Sequence, residues 1–344
     1  MRARLGSASA TVTGEPDLMS AILRGSRSGV EAFLEGRLEV RGHLSLALQL
    51  ESLMEGTTRA VRSPHAERIR AAGVDSFFIE IGAGPPVIVL HGLGATGASM
   101  LPLIWDLSRD HRVIAPDLPG MGESGKPIRA YTAEFFSRWL HCLLDELEIP
   151  RAVIAGNSLG GRIAIEMALR EPGRVESIVL LAPSPARSQF RRLGVPLVRL
   201  LRPEAALLPI PLPRRQVREA ARSMFARPGR LSEVWWDAAV EEFLRVFRDP
   251  RARIAFFSAM REIYLEEPDG DLGFWRRLSD LRRPALFIWG RQDPLISWRN
   301  ADRVARSVPH ARSIVLDDCG HVPQFELPET TNALVRDFLS SISA

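Results

Sequence analysis

Short apolar segments alternate with amphipathic helical patterns from residue 74 onward. Residues 87–90 are all apolar, which is typical of a strand buried on both faces of a parallel sheet. Residues 133–147 carry apolar side chains at spacings of three and four, which predicts an amphipathic helix. Further strands are predicted over 112–116, 152–155, 175–181, 285–289 and 313–316, and further helices over 161–169 and 329–339. This alternation favours an α/β fold with a mostly parallel, doubly wound sheet.

One long segment interrupts the alternation. Residues 184–283 lack strand patterns, are rich in Arg, Leu and Pro, and become helix-like over 234–247 and 254–264. A helical stretch of this length between two strands predicts a cap inserted over the edge of the sheet. The cap would divide the core of the protein into residues 71–183 and 284–344.

A separate segment precedes the core. Residues 1–56 combine a polar alternating run, a helical pattern and a second short alternation, which predicts a small α+β unit. A polar stretch over 57–70 is interpreted as a linker. A segment shorter than about 60 residues makes only a marginal core, so we expect it to dock on another surface or to pair with another copy.

Composition places the chain among ordinary globular proteins. Of its 344 residues, 46% are hydrophobic and 25% are charged, which excludes disordered and collagen-like classes. No apolar stretch approaches the length of about 18 residues that a membrane-spanning helix needs, and the N-terminus has no apolar signal region. Cys142 and Cys319 are too few for a disulfide framework and too far apart for a zinc motif. We therefore expect a cytoplasmic protein.

Positive charge is concentrated in the predicted cap. Between residues 187 and 230, eleven arginines stand against Glu204 and Glu219. Such a stretch could contact an anionic substrate or, as a peripheral protein, acidic lipid head groups, or it could be a solvated surface. Lys126 is the only lysine among the 45 basic residues, and this bias can reflect genome composition. A nucleic-acid partner is not expected.

Two glycine-rich loops resemble nucleotide-binding motifs. Residues 92–97 (GLGATG) follow a predicted buried strand, and Asp117 lies twenty residues beyond Gly97, as in dinucleotide-binding proteins. Residues 120–126 (GMGESGK) fit a phosphate-binding loop up to Lys126, but Pro127 stands where Ser or Thr should follow. We expect neither loop to bind a cofactor, because a complete rival site is present.

That rival site begins at residues 156–160 (GNSLG), between a predicted strand and a predicted helix. A serine on a tight strand-to-helix turn exposes its hydroxyl, and small residues two positions before and after it allow neighbouring chain to pass closely. Ser158 is therefore the candidate nucleophile. The backbone N–H of Leu159, at the start of the helix, would point toward a developing oxyanion.

A serine nucleophile needs a base and an orienting carboxylate, which follow it in the chain in the order acid, then histidine. Asp293 follows the predicted strand 285–289, and His321 follows the last predicted strand. Both loops lie where the carboxyl ends of parallel strands meet. Asp317 and Asp318 are rival acids on the loop of His321, and we interpret them as turn formers.

An early loop supplies the remaining part of the site. A second oxyanion donor is expected after an early strand, where the backbone N–H of Leu93 is well placed. His91 and Gly92 are expected to orient this loop. The seven histidines show no metal-binding spacing, so we expect no metal ion and no cofactor.

From about residue 70 to the end, the chain resembles the α/β-hydrolase superfamily. The resemblance rests on the His91-Gly92 pair, the 117–124 loop (DLPGMGES), GNSLGG at 156–161, Asp293, and the Gly320-His321 pair. It implies a capped bacterial serine esterase, or a carbon–carbon bond hydrolase that acts on ring-cleavage products. The superfamily's epoxide hydrolases and haloalkane dehalogenases use an aspartate nucleophile, which Ser158 argues against.

One departure and one further similarity qualify this picture. Ring-cleavage hydrolases typically have Trp directly after the catalytic histidine, and this chain has Val322. Residues 17–19 (DLM) and 36–42 (GRLEVRG), with the Leu-rich stretch that follows, are similar to the C-terminal half of sterol-carrier-protein-2-like domains. This similarity leaves open whether residues 1–56 bind lipid or only dock.

The leading hypothesis is a serine hydrolase that cleaves a carboxylic ester of an apolar small molecule or acyl lipid through an acyl-enzyme. Apolar cap residues could line a pocket or simply pack the cap: Leu207, Leu208, Ile210, Leu212, Phe225, Trp235 and Trp236. The alternative is hydrolysis of a carbon–carbon bond in a dienone acid, with the acid held by Arg162 or by cap arginines. A third hypothesis is a non-catalytic lipid-binding or partner protein. The oligomeric state stays open.

Overall fold

The computed structural model describes residues 2–5, 8–44, 47, 64–185, 203–207 and 211–343. The strands are β1 (Arg2–Leu5), β2 (Ala8–Thr13), β3 (Glu39–Gly42), β4 (His65–Ala71), β5 (Val74–Ile81), β6 (Pro86–Leu90), β7 (Arg112–Pro116), β8 (Ala152–Asn157), β9 (Val175–Leu181), β10 (Ala285–Gly290) and β11 (Arg312–Leu316). The helices are α1 (Pro16–Leu23), α2 (Gly29–Leu34), α3 (Leu101–Leu107), α4 (Ala133–Glu146), α5 (Leu159–Arg170), α6 (Arg214–Arg222), α7 (Glu233–Phe247), α8 (Pro250–Leu265), α9 (Phe274–Leu278), α10 (Asn300–Ser307), α11 (Pro323–Glu326) and α12 (Pro328–Ser343).

The core is an eight-stranded sheet in the order β11-β10-β9-β8-β6-β7-β5-β4. The strands from β11 to β7 in this order are parallel to one another. Strand β5 is antiparallel to β7, and β4 is antiparallel to β5. The predicted mostly parallel, doubly wound sheet is therefore confirmed. The chain runs from β6 to β7 on one side and then crosses to β8 on the other, so the carboxyl ends of β6 and β8 flank the switch point where such sheets bind ligands.

Helices on both faces explain why the central strands are apolar throughout. Ile88, Ile154, Leu180 and Ile288, one from each of four parallel strands, have no exposed surface. On one face, α4 buries the apolar stripe predicted from its spacing, and its Trp139 is fully buried. A strand buried on two sides cannot alternate polar with apolar residues, and this produces the continuous apolar runs of the sequence.

The predicted linker over 57–70 is wrong at its C-terminal end. Residues 65–70 belong to β4, which pairs with β5 along its length. β4 is the edge strand of the sheet, and Glu67 and Arg68 are exposed there. An edge strand in solvent needs no apolar periodicity, so this strand carried no signal in the sequence. Residues 57–63 lie outside the described residues.

The N-terminal unit contains a small antiparallel sheet, β1-β2-β3, together with α1 and α2. It docks on the cap, because β3 packs against α7. The indole Nε1 of Trp235 in α7 donates a hydrogen bond to the carbonyl of Phe33 at 2.7 Å. At a second contact, His43 Nε2 lies 3.1 Å from Glu123 Oε1 of the core. The surface that the unit was expected to need is thus supplied within the described part of the same chain.

The described part of the Arg-rich segment is largely ion-paired. In α6, Arg214 and Arg218 both contact Asp237 of α7, and Arg218 and Arg222 both contact Glu233. These pairs neutralise much of the positive charge that the sequence concentrates here. Residues 187–202, which carry five of the eleven arginines, lie outside the described residues, as do Leu208 and Ile210.

Candidate active site

The turn between β8 and α5 holds Ser158 in a strained backbone conformation. Its φ is +53° and its ψ is −111°, a region that residues other than glycine adopt only when the surrounding structure enforces it. The Ser158 N–H donates to the carbonyl of Leu181 at 2.9 Å, and the Ser158 carbonyl accepts from the N–H of Ser184 at 3.0 Å. Helix α5 begins at Leu159 rather than near Gly161 as predicted, so the turn is tighter than expected.

The glycines around Ser158 are required by close backbone approach. A Cβ on Gly156 would overlap the carbonyl group of Gly160, and one on Gly160 would overlap the carbonyl of Leu90 at the end of β6. A larger residue at either position would push the turn of Ser158 away from its neighbours. The glycine spacing in the sequence therefore has the physical cause proposed for it.

His321 and Asp293 form a hydrogen-bonded pair at the same edge of the sheet. His321 Nδ1 lies 2.7 Å from Asp293 Oδ2, and the two side chains are only 6% and 1% exposed. Asp293 Oδ1 accepts hydrogen bonds from the N–H groups of Leu295 at 2.7 Å and Ile296 at 2.9 Å. One carboxylate oxygen is thus fixed by the backbone, and the other is presented to the imidazole.

The rival acids point elsewhere. Asp317 forms an ion pair with Arg291, and Asp318 accepts from Arg227 at 2.8 and 2.9 Å. Asp318 also has a φ of +53°, as expected of a turn residue. Asp317 is exposed and Asp318 is half-buried, whereas the side chain of Asp293 is buried.

The connection between Ser158 and His321 runs through Asn157. Its side-chain Nδ2 donates to the His321 carbonyl at 3.1 Å and to the Leu181 carbonyl at 2.9 Å. Among the described residues, Ser158 Oγ makes no hydrogen bond to His321 or to any other group. In free enzymes such nucleophile–base bonds are often long and tighten only with substrate.

His91 braces the loop that approaches Ser158. Its Nδ1 donates to the Gly92 carbonyl at 2.7 Å, and its Nε2 accepts from the Leu118 N–H at 2.9 Å. Burial lowers the pKa of His91 to about 4, so the ring is neutral at physiological pH, as these two bonds require. A Cβ on Gly92 would lie 3.5 Å from Ser158 Cβ, which places the loop directly against the nucleophile turn.

The two predicted oxyanion donors lie on either side of this contact. Leu159 is the first residue of α5, where a backbone N–H has no acceptor within the helix. Leu93 follows Gly92 in the braced loop. Within the described ranges, neither N–H donates a hydrogen bond to another protein group.

The two nucleotide-like loops are occupied by other contacts. Asp117 Oδ1 accepts from the Gly97 N–H and Oδ2 from the Glu123 N–H, both at 2.8 Å, so this carboxylate holds loops together. Burial raises the pKa of Asp117 to about 6. Lys126 Nζ donates to the carbonyls of Gly122 and Ser124, within its own loop. The two charged side chains that make these loops resemble nucleotide-binding motifs, Asp117 and Lys126, are thus bound by main-chain groups of the protein.

Arg162 does not fit the suggested role of holding a substrate acid. The side chain is 1% exposed, and its guanidinium contacts Glu166 and Glu266. It also stacks on the Phe274 ring at 4.7 Å. These contacts occupy the guanidinium in a buried ion network that ties α5 to the C-terminal end of α8.

The cap residues that face the oxyanion loop differ from those expected. A Cβ on Gly94 would lie 2.9 Å from a Phe256 ring carbon and 3.3 Å from one of Phe243. By contrast, Trp236 is buried against Phe225 within the cap. Trp235 packs toward the N-terminal unit, and Leu207 is exposed. Phe243 of α7 and Phe256 of α8 each follow the apolar spacing of their own helix. The sequence therefore does not distinguish them from residues that only pack the cap.

Sequence reasoning also missed Asn157 and Glu326 as parts of the site. Both are buried, and their partners include main-chain groups of the loop that carries His321. In the described part of the chain, no cluster of His, Cys, Asp or Glu could hold a metal ion. Among the helices of these residues, none combines the length and the apolar character that spanning a bilayer requires.

The chain is similar in sequence and structure to known proteins. Residues 85–328 match the family described as "alpha/beta hydrolase fold". The chain is 30% identical over 292 residues to the 2-hydroxymuconate semialdehyde hydrolase of Pseudomonas sp. (strain CF600), covering 82% of this chain and 96% of that protein. It is 29% identical over 302 residues to the dihydrolipoyllysine-residue acetyltransferase component of the acetoin cleaving system of Pseudomonas putida, covering 85% and 74%. A solved structure of the meta-cleavage product hydrolase from Pseudomonas fluorescens IP01 superposes with a TM-score of 0.63 at 26% identity, covering 80% and 97%.

Proposed function

The chain belongs to the α/β-hydrolase fold family, and from that premise we propose that it is a serine hydrolase of carboxylic esters. The proposed catalytic residues are Ser158, His321 and Asp293. The observation that carries the proposal is the 2.7 Å pair between His321 and Asp293, on loops next to a nucleophile turn that holds Ser158 at positive φ. A histidine–aspartate pair close to such a turn supports the activation of a serine hydroxyl for acyl transfer.

In the proposed mechanism, Asp293 keeps the proton of His321 on Nδ1, which leaves Nε2 free to act as a base. Nε2 takes the proton of Ser158 Oγ as that oxygen attacks the ester carbonyl. The N–H groups of Leu93 and Leu159 stabilise the resulting oxyanion. The imidazolium then gives its proton to the leaving alcohol, and an acyl-enzyme remains. Water, deprotonated by the same Nε2, then attacks the acyl carbonyl, and the imidazolium returns that proton to Ser158 Oγ as the acid leaves.

The surroundings of the oxyanion loop support an apolar substrate. The rings of Phe243 and Phe256 lie over Gly94, one residue beyond Leu93. Arg245, which lies on the same helix as Phe243, is bound to Glu242 and Glu123. An apolar acyl or alcohol group would be matched by the two rings without needing a cation.

A second candidate is hydrolysis of a carbon–carbon bond in a ring-cleavage product. It is favoured by the 30% identity to the 2-hydroxymuconate semialdehyde hydrolase, which extends over 96% of that protein. Against it, Arg162 is engaged by two glutamates, and Val322 stands where such enzymes have Trp. The nucleophile, base and acid would be the same in both candidates.

Two measurements test the proposal. A fluorophosphonate probe should label the purified protein but not Ser158→Ala, which should fold normally because the strain of the turn is in the backbone. p-Nitrophenyl esters of two to ten carbons should then be turned over faster than a ring-cleavage dienone acid. Faster turnover of the dienone would favour the second candidate. Equal labelling of wild type and Ser158→Ala would refute Ser158 as the nucleophile, and absence of labelling would favour a non-catalytic binding protein.

A further inference from the structure

A buried carboxylate joins the cap to the loop of the proposed base. Glu326, the last residue of α11, is only 3% exposed. Its Oε2 accepts from the N–H of Gly320 at 2.6 Å, and its Oε1 accepts from the N–H of Arg227 at 2.5 Å. Gly320 directly precedes His321, whereas Arg227 belongs to the cap. One side chain therefore holds two backbone segments that are far apart in sequence.

Further contacts fasten the same two segments. The His321 N–H donates to the carbonyl of Met224 in the cap at 2.7 Å. A Cβ on Gly320 would overlap that carbonyl, so the cap lies as close to this loop as a glycine allows. Arg227 also reaches Asp318, and Arg230 Nη1 donates to the Asp318 carbonyl at 2.9 Å.

The opposite side of His321 is held by the core. The Asn157 side chain donates to the His321 carbonyl, and Asp293 fixes the ring. The main chain of His321 thus lies between two anchors, the cap on its N–H side and the nucleophile strand on its carbonyl side. The position of the imidazole relative to Ser158 depends on both anchors together.

Resting on the proposed function, we infer that Glu326 is a positioning residue that couples the seating of the cap to the placement of His321. When the cap is seated, the Arg227 N–H and the Gly320 N–H share the two oxygens of one carboxylate, and the imidazole is held ready for Ser158. When the cap lifts, that carboxylate loses one donor and the His321 N–H loses its acceptor. The proposed base is then placed correctly only while the cap covers the site.

The testing variant is Glu326→Gln, which keeps the size of the side chain. Its amide oxygen can accept from one N–H, but its NH2 group faces the other donor and cannot accept. Displacements of about 1 Å at a reacting group can cost about 100-fold in rate. We therefore expect kcat on p-nitrophenyl acetate to fall by about 10- to 100-fold, with KM changed far less. The matched control is Glu329→Gln, an exposed carboxylate three residues further along.

The measured quantity is kcat per active site. Active sites are counted from the end point of fluorophosphonate labelling, at a temperature well below the melting temperature. A merely structural role would lower the number of labelled sites and the melting temperature but leave kcat per labelled site unchanged. That result for Glu326→Gln would overturn the inference. Glu326→Asp, which keeps the charge but shortens the reach, should give a kcat between those of wild type and Glu326→Gln.

Three further outcomes separate the inference from the proposed function. If Glu326→Gln does not fold, Glu326→Asp alone decides, and a wild-type kcat per site in that variant overturns the inference. Full activity in Ser158→Ala would instead overturn the proposed function, whatever Glu326 does. Loss of activity in Ser158→Ala with an unaffected Glu326→Gln would overturn the coupling alone.

Discussion

The hydrogen bonds around Asp293 predict how its replacement by asparagine changes the proposed catalysis. Oδ1 of Asp293 accepts from the N–H groups of Leu295 and Ile296, while Oδ2 faces His321 Nδ1. In the asparagine variant only the amide oxygen can accept hydrogen bonds, so it must take the place beside the two backbone donors. The amide NH2 group must then face His321.

This orientation forces the imidazole into the wrong tautomer. Nδ1 of His321 would have to accept from the NH2 group, so the ring proton would move to Nε2, the nitrogen that should take the proton of Ser158. The same change in other serine triads lowers kcat by about 10⁴-fold, which corresponds to about 5 kcal/mol of transition-state stabilisation. Since every hydrogen bond of the loop is kept, the unfolding temperature should change little.

The assay is kcat on a p-nitrophenyl ester, with thermal unfolding of each variant as a control for folding. Asp317→Asn is the matched variant, because Asp317 lies on the loop of His321 but is exposed and paired with Arg291. It should retain nearly full activity. The assignment of the acid would be refuted if the kcat of Asp293→Asn were within about tenfold of the wild-type value, or if Asp317→Asn lost more activity than Asp293→Asn.

The Phe256 ring lies against Gly94, because a Cβ added to Gly94 would be only 2.9 Å from a ring carbon. Phe256→Ala removes this ring, so it should open space beside the oxyanion loop. kcat/KM for octanoyl relative to acetyl esters should rise by about tenfold, and an unchanged ratio would contradict this placement. The pKa of Glu123 is lowered to about 2 by the hydrogen bond from His43, and further by His43 and Arg245 as charges. Its ionised form therefore stabilises the fold above its ordinary pKa of 4.5, and this stabilisation is lost as the pH falls from 4.5 toward 2. The drop in the urea midpoint between pH 6 and pH 3 should be smaller in Glu123→Gln, and equal drops in both proteins would disprove this origin.

The sheet could be predicted from the sequence because burial on two faces leaves a simple pattern. Strands such as β6 and β8 contain only apolar or small residues up to their carboxyl ends, where the loops of the site begin. The same reasoning failed for β4, since an edge strand with exposed Glu67 and Arg68 has the composition of a linker. Hydrophobic periodicity reports the environment of a strand, and hydrogen bonding at an exposed edge leaves no such pattern.

Some residues of the candidate site could be predicted from the sequence, whereas others could not. Ser158, Asp293 and His321 could be selected because nucleophilic chemistry restricts the residue types and their order in the chain. The partners of Glu326 and Asn157 are backbone N–H and carbonyl groups, which every residue carries. Contacts of this kind are decided by where loops meet in space, and no spacing in the sequence encodes them.

The N-terminal unit shows how a weak core can be completed within one chain. Val40 of β3 and Phe33 of α2 belong to the same apolar cluster as Ala238 of α7, so the interior of the unit continues into the cap. Trp235 extends this contact, because its ring meets that of Phe325 edge to face at 5.3 Å. Phe325 lies in α11, which also ends at Glu326. The small unit, the cap and the loop of the proposed base therefore share one continuous set of contacts, and the apolar interior of the unit continues beyond the unit itself.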